Sequence, residues 1–124
     1  MPPKVSKEDR TDTARVNVRI ALALRGVKAA HVSIEAGMSA NALGAFIGGK
    51  SSIGYENLSE VCHVLDIPIG VLHIPGAITP ARLRWHSIIE RMPEDQSAQA
   101  LRILADYLRP DFERPDAVRP DADS

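Results

Sequence analysis

The sequence predicts an all-α fold. Three observations carry that expectation. Apolar residues recur at i, i+3, i+4 and i+7 in Leu58, Val61, Cys62, Leu65 and again in Leu101, Leu104, Ala105, Leu108, the spacing of one helix face. Gly26, Gly37, Gly48-Gly49, Pro80 and Pro93 stand between apolar stretches, where helices start and stop. Between them, Ala29 to Lys50 reads as two short helices sharing a glycine corner.

That stretch is the centre of the chain. Val32 and Ala36 lie four apart on one helix face, and Gly37 ends the helix where a left-handed backbone suits glycine. Met38 is an apolar plug, and Ser39 can cap the next helix by accepting a backbone N–H. Leu43, Phe46 and Ile47 give that helix an inner face, while Ala40, Asn41, Gly44 and Ala45 leave its other side small and polar. Ser33 is small where the two helices must pass closely. Apolar, small, glycine, apolar, serine, apolar in this order is the pattern of a helix-turn-helix.

The other elements follow in order. Residues 1–11 are charged, carry proline and lack periodicity, and so read as a mobile arm. Asp12 or Thr13 is positioned to cap a first helix over Ala14 to Arg25. Val16, Val18, Ile20, Leu22 and Leu24 alternate like a strand, but Ala14, Ala21 and Ala23 are strong helix formers. A helix this rich in aliphatics needs cover on two sides. A fourth helix is expected over Tyr55 to Leu65 and a short fifth over Pro68 to His73. Ile74-Pro75-Gly76 marks a boundary, so residues 12–75 form one domain. Thr79-Pro80 opens a helical hairpin within residues 76–109, with Trp85, Ile88, Ile89 and Met92 on one side of its first helix. Residues 110–124 continue an Arg-Pro-Asp repeat of period five, expected to be a disordered tail.

Composition narrows the function classes. A formal net charge of −1 gives no bulk electrostatic sign of a nucleic-acid partner. One cysteine, Cys62, excludes an intrachain disulfide and a cysteine-based zinc site. No apolar run reaches the ~18 residues of a membrane span, and the N-terminus lacks a signal-peptide core, so a cytoplasmic protein is expected. His31, His63, His73 and His86 share no metal-ligand spacing, and no catalytic constellation is evident; neither an enzyme nor a cofactor is expected.

Val32-Ser33, Ala36-Gly37-Met38-Ser39, Leu43, Phe46, Gly49-Lys50, Leu58, Val61, Leu65, Ile67 and Leu72 agree in order and spacing with one known pattern. Over residues 14–73, about half the chain, the sequence resembles the Xre/Cro-type helix-turn-helix regulators of bacteria and phages. The resemblance implies a five-helix, lambda-repressor-like domain that binds double-stranded DNA as a homodimer, its third helix in the major groove. The chain departs from the family at Ile47, often acidic there, and at Leu22, often arginine. Lys28-Ala29 replaces the Ser/Thr-Gln pair that commonly opens the second helix, so Lys28 stands in as a point charge.

Within that helix Asn41 matches the hydrogen-bonding edge of adenine, and Ala40 or Ala45 the thymine methyl; Gly44 lets the backbone come close. Lys28, Ser39, Lys50, Ser51, Ser52 and the helix N-terminus suit phosphates. The expected target is an inverted repeat with A·T in each half-site, nucleoid-bound in the cell, and repression by occupancy is favoured over activation through RNA polymerase. The competing expectation is a protein-interaction module, or an antitoxin-like protein gripping a partner. Gly44 to Ser51, GAFIGGKS, also satisfies a phosphate-loop formula, but a helix rather than a strand precedes it. Trp85, Ile88, Ile89, Leu101, Leu104 and Leu108 are the candidate dimer contacts, with the hairpin packing either on its own domain or across a dimer.

Overall fold

The computed structural model describes residues 6–109 and 111. Its elements are helices, with no strand among the described residues: α1 Lys7–Arg25, α2 Ala29–Glu35, α3 Ala42–Ile47, α4 Tyr55–Leu65, a single 3-10 turn Ile69–Val71, α5 Pro80–Arg91 and α6 Glu94–Leu108. Two units divide between Ile88 and Ile89.

In the first unit α2 packs on α3 and α4, and α1 closes over both. The shared core is aliphatic, with Val18, Val32, Leu43, Val61, Leu65 and Leu72 fully buried. Cys62 is one of these core residues, and burial pushes its thiol up to about 12, which leaves it unreactive. The core continues past the expected boundary at Pro75. Ile78 and Leu83 join it, so the start of α5 belongs to the first unit.

Four local expectations need correction. α1 begins at Lys7, not Ala14: the Ser6 hydroxyl accepts the Asp9 N–H at 3.1 Å, and Glu8 and Asp9 sit at the positive helix end. Residues 7–11 are therefore helical; residues 1–5 of the expected arm, and residues 110 and 112–124 of the tail, lie outside the described residues. Asp12 and Thr13 lie inside α1, where Thr13 bonds the Asp9 carbonyl and Asp12 pairs with Arg15. The fifth helix is only the turn Ile69–Val71, because Pro68 takes an extended backbone instead of the first helical position. Ser39 does not cap α3, which starts three residues later at Ala42 with no side-chain cap. Lastly, α1 is covered on one side: Ala14, Val18, Ala21 and Leu22 are buried, while Val16 and Leu24 are exposed.

Thr79 caps α5 as expected, its hydroxyl accepting the Arg82 N–H at 3.1 Å. The side of α5 facing the core is not the one that Trp85 suggests. Leu83 is buried there, the Ser87 hydroxyl donates to Asp66 Oδ2 at 2.7 Å, and His86 Nε2 stands 3.7 Å from Asp66 Oδ1. In the second unit Pro93 precedes α6, none of whose residues is buried. No described helix is long and apolar enough to cross a membrane.

Candidate nucleic-acid interface

The corner between α2 and α3 is held from inside. Gly37 has φ 86°, the left-handed backbone that glycine adopts without a side-chain clash. Ser33 is more than a small residue at a crossing. Fully buried, its hydroxyl donates to the Ser39 carbonyl and accepts the Leu43 N–H at 3.2 Å. One side chain thus ties α2 to the turn at Ser39 and to the start of α3 at Leu43. The Ala42 N–H bonds the Ser39 carbonyl. With the Ala42 and Leu43 amides occupied, the N-terminus of α3 does not offer the phosphate site expected of it.

The far end of α3 is fixed by Arg15 of α1. Its Nε donates to the Phe46 carbonyl at 2.7 Å and its Nη2 to the Ser51 carbonyl at 3.3 Å. The Asp12 carboxylate holds Nη1 at 2.8 Å, and the guanidinium lies 5.1 Å from the Phe46 ring centre. A cation at a helix C-terminus also complements its partial negative charge. Arg25 repeats the device on α4, donating to the carbonyls of Leu65 and Asp66. Asn17 is buried among aliphatics, and its amide donates to the Leu72 and Ile74 carbonyls at 2.6 and 3.0 Å.

Arg15, Asn17 and Arg25 were not singled out by motif reading, yet the first two carry a signal. Asn17 falls on the Ala14, Val18, Ala21 stripe, and Arg15 shares a face with Val18 and Leu22. A polar residue on a core stripe must find partners within the fold.

Beside α3 lies a depression of about 490 Å³ lined by Ala29 and Ala30 of α2, Ala40, Asn41, Gly44, Ala45, Gly48 and Lys50; Ala40 and Asn41, expected within the helix, lie in the turn before it, because α3 starts only at Ala42. Five of the expected site residues meet here: Ala40, Asn41, Gly44, Ala45 and Lys50. Lys28, Ser39, Ser51 and Ser52 are exposed but do not line it; Lys28 is at the start of α2, and the last two follow α3. Ala29, Ala30 and Gly48 complete the floor without having been singled out. At Gly44 an added Cβ would meet no atom of the described residues within 4 Å, so none of them requires glycine there. The same segment does not form a phosphate loop. The N–H groups of Gly48, Gly49, Lys50 and Ser51 bond carbonyls of α3 and cannot converge on a ligand.

Comparison with family models, curated proteins and solved structures finds no match to this chain. Among the described residues no group of three His, Cys, Asp or Glu side chains is arranged to hold a metal ion.

Proposed function

We propose that the chain is a sequence-specific DNA-binding regulator of transcription, a repressor of the Xre/Cro helix-turn-helix type acting as a homodimer on an inverted repeat. One observation carries the reading: an exposed asparagine, directly before α3, stands in a floor of alanines and glycines, and the helix it precedes is tied down from within at both ends. Small side chains let a helix come close to a groove floor, and Asn41 supplies the donor and acceptor that the adenine N6/N7 edge complements. Lys50, which lines the depression, with Lys28 next to the lining residue Ala29 and with Ser51 and Ser52 directly after Lys50, would set register on phosphates. Repression follows from occupancy of the site.

The protein-interaction reading is favoured by a different observation. Among the described residues Lys50 is the single cation lining the depression, and the chain's formal net charge is −1. Selection from a pool of random duplexes, followed by a salt titration on the recovered sequence, separates the two. A DNA reader recovers an inverted repeat, and log K falls with log salt by about 0.9 per phosphate neutralised. An interaction module recovers no consensus and shows no salt-dependent DNA affinity.

A further inference from the structure

α1 buries one side only. Ala14, Val18, Ala21 and Leu22 face the core, and Val16, on the opposite side, is 46% exposed. At 3.6 residues per turn, Asp9, Asp12, Thr13, Arg19, Ile20 and Ala23 all lie within about 60° of Val16 around the helix. Asp12 and Arg19 stand on one flank of this outer face, Thr13 and Ile20 on the other. A depression of about 370 Å³ runs beside it, with Val16, Ile20 and Pro75 among its walls. The Asp12 side chain is 70% exposed, and Arg15 meets it at Oδ1. Arg15 itself is drawn inward to the carbonyls of Phe46 and Ser51. Arg19 is exposed and has no partner among the described residues.

We infer that the outer face of α1 is a two-fold seam, on which α1 of a second copy packs antiparallel with Val16 at the axis. This rests on the homodimer in the proposed function but not on its DNA contacts. The occupant is a second copy because the face is complementary to itself. A two-fold axis through Val16 reverses the helix direction and keeps each flank on its own side of the pair. Asp12 lies four residues before Val16 and Arg19 three after it, so Asp12 of one copy comes within about 1.5 Å in height of Arg19 in the other. The axis makes that opposite-charge pair twice. On the other flank it sets Ile20 against Thr13, also twice, and small Ala23 stands opposite Asp9. A parallel pair would instead oppose Asp12 to Asp12 and Arg19 to Arg19. The antiparallel pairing also takes Val16 and Ile20 out of water, the cover that so aliphatic a helix lacks within its own chain.

The test is charge exchange on the full chain without DNA, read by sedimentation equilibrium over a range of concentrations. The wild-type mass should rise from the 13.5 kDa of one chain toward twice that value. D12K and R19E each turn both cross pairs into like-charge pairs. Each should raise the dimer Kd roughly tenfold, with helical circular dichroism unchanged. The double variant D12K/R19E makes both pairs opposite again, so its Kd should return to the wild-type range. D12K also gives up the Arg15 contact, which adding R19E cannot restore, so that recovery reads the seam and not the single chain. A monomeric wild type overturns the inference. So does an R19E variant that dimerises like wild type, or a double variant as weak as either single one. The exchange reads this seam alone, whatever the α6 stripe adds to assembly. A chain that dimerises and exchanges as described but selects no duplex leaves the seam standing and removes the regulator reading. A chain that selects an inverted repeat while R19E dimerises normally does the reverse.

Discussion

The outer face of α3 and the stripe of α6 are both exposed, but they differ in what they offer and in what stands behind them. α3 and the turn before it offer small side chains and the one amide of Asn41, and the helix is braced by Ser33 at its start and Arg15 at its end. α6 offers three leucines, and none of its residues is buried. A rigid surface of small residues suits a ligand that supplies its own edges, such as a base pair. An unburied stripe of large apolar residues suits a protein surface that removes it from water. The contrast predicts that changes behind α3 cost stability, changes on α3 cost binding, and changes on α6 cost assembly.

The largest effect should come from behind the braced region. Asn17→Ala leaves the Leu72 and Ile74 carbonyls without their donor and should lower unfolding free energy by about 2–3 kcal/mol, read from urea midpoints at unchanged slope. Leu104→Ala, at a protein concentration low enough to keep monomers, should stay within ~0.5 kcal/mol of wild type. If Leu104→Ala cost as much as Asn17→Ala, α6 would be buried in the single chain and the contrast would collapse.

A smaller and oppositely signed effect sharpens it. Gly44→Ala meets no steric obstacle and replaces a helical glycine, so the melting temperature should rise, by the equivalent of roughly 0.5–1 kcal/mol. Affinity for the selected duplex should fall in the same variant, because the added methyl stands where the groove floor must approach. Stabilisation with undiminished affinity would show that nothing comes close to Gly44.

Helical periodicity made most of the helices legible. The stripe of α4, the Gly37 corner and the Thr79 cap are local patterns, and the structure has them where the residues place them. The misses are of two kinds. Ser6 caps α1 from inside a charged stretch, where the search for apolar periodicity finds nothing. Ser33, Arg15 and Asn17 act through partners up to 57 residues away, and spacing along one helix does not specify those partners. Leu83 rather than Trp85 anchors α5 for a related reason. Its side also carries Ser87 and His86, which meet the Asp66 carboxylate, a partner that spacing along α5 does not show. The candidate readers in and around α3 were legible because they lie within a few residues of one another in sequence; Ala29 and Ala30 joined them only through the fold.

The most direct measurement is a competition between the selected duplex and a scrambled one, for wild type and for Asn41→Ala. If the exposed face of α3 reads bases, the variant should lose about 1–3 kcal/mol of discrimination, concentrated at one A·T pair of each half-site, with its melting temperature unchanged. Discrimination equal to wild type in a normally folded Asn41→Ala protein would contradict that claim.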